Sequence, residues 1–145
     1  MKAAAGVALA CASASRGPAG STFIVLSCAV LLGVAALIGA GAGASPTRLA
    51  VLLLIAPLAE EAVFRAGLQE ALLQRGISRL VANLLCASAF AMSHAAVRDD
   101  AAALAVVLPA LLIGTVYQRW RRLSPCVLLH AALNAAWIAG AARYL

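Results

Sequence analysis

The sequence predicts an all-α fold, a polytopic membrane helix bundle of about five transmembrane helices. Three observations predict it. The 145 residues are 65% hydrophobic and only 11% charged, where a soluble domain carries about 25% charged residues; mean hydropathy is +1.01. The apolar residues fall in runs of about 20, the length needed to cross a bilayer as a helix. The basic residues stand at the ends of these runs, which is how cationic side chains sort between the two sides of a membrane. The net charge of +6 is therefore a topology signal. It does not mark a nucleic-acid partner, and the bilayer itself is the implied surrounding.

Each element can be justified in order. Residues 1–21 carry Lys2, an alanine-rich stretch to Ala14 and then Ser15-Arg16-Gly17-Pro18. They read as an amphiphilic or frayed cytoplasmic segment, with a cleaved signal as the alternative. Residues 22–145 form a single transmembrane domain. The first span, 22–44, has no charge and ends in Gly41-Ala42-Gly43-Ala44-Ser45-Pro46, a helix breaker. Its Gly39-x-x-x-Gly43 pair would suit a homo-oligomer. The second span, 47–73, holds Glu60 and Glu61; the third, 78–97, holds His94. The fourth is 101–118, and the fifth, 125–144, holds His130 and Asn134.

Charge tests this topology. With five spans, Lys2, Arg16, Arg75, Arg79, Arg119, Arg121 and Arg122 share one side, against Arg48, Arg98 and Arg143 on the other. The first side is then cytoplasmic, with the N-terminus inside and the C-terminus outside. Cys11, Cys28, Cys86 and Cys126 form no Cys-x-x-Cys pair, so each reads as a small buried apolar residue.

The second span is the informative one. A charged side chain at the bilayer centre costs roughly 2.5–3.5 kcal/mol, and here Glu60, Glu61 and Arg65 fall within six residues. Glu61 and Arg65 are four apart, on one helix face, and can pair. Glu60 is turned about 100° away and is directed at a different neighbour. His130 and Asn134 share a face by the same spacing, as do Phe90 and His94, which sets the phenyl ring beside the imidazole.

These groups make a coherent chemistry. A glutamate can take a proton from water while a histidine positions that water or shares the proton. A second histidine and an asparagine amide can donate hydrogen bonds to a developing oxyanion. Peptide hydrolysis would need nothing more. Neither Gly-x-Ser-x-Gly nor His-Glu-x-x-His occurs. At 1.5 Å per residue, Glu61 lies about 21 Å from Arg75 and His94 about 22 Å from Arg79, but His130 only about 12 Å from Arg122. Tilt, or an inward-dipping loop at Ser124-Pro125, has to absorb the difference. Pro57 and Pro109 are expected to kink their helices and open room for water.

Glu60-Glu61-x-x-x-Arg65, Phe90-x-x-x-His94 and His130-x-x-x-Asn134, in that order, resemble the three motifs of the CAAX-protease and bacteriocin-processing (Abi) family of intramembrane glutamic endopeptidases. Pro57, Phe64 and Gly114-x-x-Tyr117 are also similar to family members, and the likeness covers about residues 56–137. Ala66 stands where many members have glycine, and the chain is shorter than most. The resemblance implies Glu60 as general base with His94 as partner, His130 and Asn134 as oxyanion hole, and Glu61 with Arg65 ordering the site. It implies no cofactor; were zinc present, Glu60, His94 and His130 would be its ligands. The partner would be a membrane-anchored protein or peptide, cut near its anchor or leader during sorting or maturation. The small, alanine- and arginine-rich chain points to a bacterial cytoplasmic membrane, where a sorting anchor or leader is a better substrate than a prenylated terminus. Buried Glu and His also build proton or cation relays, and that is the alternative reading. A scaffold or immunity protein that no longer turns over is the third.

Overall fold

A computed structural model of the protein describes residues 45–141. The segment 1–21, the first span with its Gly39 and Gly43, Cys11 and Cys28, and the terminal Arg143 lie outside the described residues. Every element among the described residues is helical. In chain order they are α1 (Pro46–Ala50), a π-helical segment (Val51–Ile55), α2 (Ala56–Glu61), a second π-helical segment (Ala62–Gln69), α3 (Glu70–Gln74), α4 (Arg79–Arg98), a 3-10 segment (Ala101–Val106), α5 (Val107–Trp120) and α6 (Leu123–Ala141). The described residues fall into two compact units, one of 45–59 with 127–141, the other of Glu60–Cys126.

In the first unit, Ser45 caps α1 by accepting from the Arg48 amide at 3.2 Å, and Pro46 occupies the first turn, where its missing N–H is no loss. Leu49, Leu53 and Ala135 form a small core, joined by Ile138. Pro57 is buried just beyond the Val51–Ile55 segment. There the Ala56 amide donates to the Val51 carbonyl five residues back, the wider π register.

In the second unit, local signals set the turns between helices. α3 ends in a Schellman turn: Ile77 N–H donates to Leu72 and Gly76 N–H to Leu73, both at 3.1 Å, with Gly76 at φ 77°. Ser78 caps α4 at the Val81 amide. Asp99, at φ 49°, closes α4, and the Asp100 carboxylate accepts from the Ala102 amide at 2.8 Å to start the 3-10 segment. Arg121, at φ 51°, closes α5. α4 packs on α5, on the 3-10 segment and on the Ala62–Gln69 segment, around Ala87, Phe90 and Ala110. Pro109 is the third residue of α5, just after the 3-10 segment and within the continuous helical run Ala101–Trp120.

Three helices among the described residues are long and apolar enough to cross a membrane: Arg79–Arg98, Ala101–Trp120 and Leu123–Gly140. They correspond to the third, fourth and fifth spans. The helical segments from Pro46 to Gln74, the second span, carry Glu60, Glu61 and Arg65 and are too charged to be recognised by apolarity. Outward-facing Leu80, Leu84, Leu85, Met92 and Leu108 are exposed, as lipid-facing side chains of an integral membrane protein should be.

Candidate active site

The Ala62–Gln69 segment organises the second unit. Its π register turns more slowly per residue than an α-helix, so Glu61, Arg65 and Gln69, each four apart, keep to one side; all three are fully buried. A buried guanidinium is tolerated only with its donors satisfied. Arg65 Nε donates to Glu61 Oε2 at 3.0 Å. Its Nη1 donates to Gln69 Oε1 at 3.2 Å and to Cys86 Sγ at 3.3 Å, and its Nη2 to the Ala110 carbonyl at 3.0 Å. Gln69 Nε2 continues to the Gly114 carbonyl at 3.1 Å. One cation thereby ties its own helical segment to α4 and α5.

Glu60, one residue from this network, has a different environment. Its Oε1 lies 4.0 Å from His94 Nε2, and the two side chains remain 29% and 18% exposed. The pair is thus only partly buried, unlike the fully buried Glu61–Arg65 pair. His94 is held from behind. Its Nδ1 sits 3.1 Å from the Phe90 carbonyl oxygen, an acceptor only, so Nδ1 carries a hydrogen and Nε2 is the ring nitrogen that faces Glu60. The Phe90 ring lies 4.3 Å from the imidazole between centroids and meets Phe64 edge-on at 5.0 Å.

The structure thus brings four of the sequence-selected residues together in the second unit as two pairs, Glu61 with Arg65 and Glu60 with His94. His130 and Asn134 belong to the first unit. There His130 is buried, and Asn134 Nδ2 donates to the Leu52 carbonyl at 2.9 Å. Among the described residues, no three His, Cys, Asp or Glu side chains are grouped to hold a metal ion, and Glu60 with His94 supply two donors.

Several contributors escaped the sequence reading. Cys86 is buried as expected but is not simply apolar, since its thiol also donates to the Phe64 carbonyl at 3.0 Å. Asn83 Nδ2 donates to the Leu111 carbonyl and to Thr115 Oγ1. Gly114 is required by this asparagine: a Cβ there would stand 1.8 Å from Asn83 Oδ1. Gln69 carried a signal, the four-residue spacing from Arg65. Gly114 carried one only through the family resemblance of Gly114-x-x-Tyr117, and Asn83, its partner on another helix, carried none.

An integral membrane protein, all-helical among its described residues, with a buried arginine whose three nitrogens are all hydrogen-bonded and a partly exposed Glu–His pair beside it is the class these observations define. The model of a known family, described as type II CAAX prenyl endopeptidase Rce1-like, matches residues 42–136. That is more than half of the chain, and the protein belongs to this family. Comparison with curated proteins and with solved structures returns no match.

Proposed function

We propose that the protein is an intramembrane endopeptidase in which Glu60 and His94 activate water. The observation that carries this reading is the 4.0 Å approach of Glu60 Oε1 to His94 Nε2. In the neutral imidazole with its hydrogen on Nδ1, against the Phe90 carbonyl, Nε2 is an acceptor like the carboxylate, and at this separation a water can donate one hydrogen to each. Such a water turns its lone pairs away from both groups, towards a scissile carbonyl. As it attacks, one proton passes to the carboxylate, and the imidazole can take up or return a proton for the leaving amine. Glu61 and Arg65 are assigned a supporting role, holding the segment that presents Glu60. His130 and Asn134 keep the oxyanion role that the family resemblance gives them.

The substrate would be a membrane-anchored protein or peptide cut near its anchor or leader, in a bacterial cytoplasmic membrane, with the N-terminus inside. Membership of a CAAX endopeptidase family supports a membrane-anchored substrate. The reading needs no metal, and the carboxylate itself is the base. Purified protein should cleave a member of a panel of anchored, leader-bearing and prenylated peptides. Glu60→Gln should lower the rate by at least about a hundredfold, the scale of a lost general base, while a zinc chelator leaves it unchanged. Full activity of Glu60→Gln would overturn the mechanism. Charge movement across liposomes with no cleavage would favour an ion relay instead.

A further inference from the structure

Within the first unit, one carbonyl has lost both of its helical donors. In an α-helix Leu52 would accept from the amide of Ala56, but the Ala56 N–H is used one residue earlier, on Val51. In the π register begun there, Leu52 would accept from residue 57. Residue 57 is proline and has no N–H. Leu52 is therefore left without a backbone partner, in a chain that crosses a membrane, where an unsatisfied backbone group costs several kcal/mol. The carbonyl is not orphaned in fact: Asn134 Nδ2 donates to it at 2.9 Å.

We infer that Asn134 is a positioning residue that supplies from α6 the hydrogen bond Pro57 cannot make, and that it is needed because residue 57 is proline. This goes beyond the endopeptidase reading and holds whatever the substrate is. It also limits that reading, since one of the two Asn134 amide hydrogens is committed to Leu52 and at most one is available to an oxyanion. The surroundings fit the role: Ala135, adjacent on α6, packs with Leu49 and Leu53, which holds this stretch of α6 against the segment that carries Leu52.

The test is a double-mutant cycle on the full-length protein in detergent, comparing wild type, Asn134→Ala, Pro57→Ala and the double variant. The readouts are hydrogen exchange of the peptide covering 51–58 and the midpoint of thermal unfolding. Asn134→Ala alone should speed exchange there about tenfold or more, the scale of an unsatisfied buried carbonyl, and lower the midpoint. Pro57→Ala restores a backbone donor. In that background the same asparagine replacement should change exchange by less than about threefold, the remainder expected of an uncoupled site. Equal losses in both backgrounds would overturn the inference, because packing or catalysis at residue 134 has no reason to depend on an N–H at residue 57. If Asn134→Ala does not accumulate, recovery of folded protein in the double variant supports the inference, and failure to recover it while Pro57→Ala folds overturns it. Peptidase activity separates the two proposals. A double variant with restored protection but no cleavage keeps the positioning role and returns Asn134 to the oxyanion as well.

Discussion

At the residue scale, Arg65 and Gly114 show opposite solutions to a crowded polar interior. Arg65 is stabilised by partners: four acceptors surround it, and removing one member of such a buried pair typically costs about 3–5 kcal/mol. Gly114 works by absence. The Asn83 carboxamide occupies the space a β-carbon would take, its oxygen buried against the glycine with no hydrogen-bond partner among the described residues. Gly114→Ala should destabilise the protein by about 1–3 kcal/mol, as overpacking does, read as a lower denaturation midpoint in detergent. Asn83→Ala made together with it should recover part of that loss, because the clashing oxygen is gone.

The same logic changes form at the scale of elements, where helix ends and registers decide what each side chain can reach. The turn after α3 needs a left-handed residue, and Gly76 provides it at φ 77°. Nothing lies within 4 Å of where its Cβ would be, so Gly76→Ala is a test of backbone strain alone. It should cost about 1–2 kcal/mol and leave the cleavage rate per folded molecule unchanged, a split that unfolding and activity assays on one preparation can measure. The two π segments matter more for function. One sets Glu61, Arg65 and Gln69 on a common buried face, and the other, followed two residues on by Pro57, leaves the Leu52 carbonyl for Asn134.

On the scale of the whole molecule, the ends of the helices sort by charge. In the second unit, the turn after α3 and the turn after α5 meet: Tyr117 Oη donates to Glu70 at 2.8 Å, Arg121 pairs with the same carboxylate, and Gln118 Nε2 donates to the Arg79 carbonyl at 2.6 Å. Arg75, Arg79, Arg119, Arg121 and Arg122 cluster about these two turns, whereas Asp99 and Asp100 close the opposite end of α4. We propose, on the positive-inside rule, that the arginine-rich turns face the cytoplasm. A cysteine introduced at Gly76 should react with a membrane-impermeant thiol reagent only after cells are opened, and one at Asp100 in intact cells. Of the four native cysteines, Cys86 and Cys126 are buried, and Cys11 and Cys28 would be replaced by serine to keep the background low. Reversed labelling would invert the orientation.

Sequence by itself determined what depends on local spacing and on composition. The apolar runs delivered the all-α membrane fold, with the third to fifth spans recovered as helices. A four-residue interval on one helix delivered the Glu61–Arg65 pair, and the order of three motifs delivered the family. Tertiary structure alone decided which distant atoms complete those pairs. Arg65 reaches the carbonyl of Ala110, Gln69 that of Gly114, and Asn134 that of Leu52. The physical reason is that every residue carries a carbonyl, so nothing in the order of side chains marks the one that a neighbouring helix will leave without a donor. Register and packing choose it, and both are settled only when the helices meet.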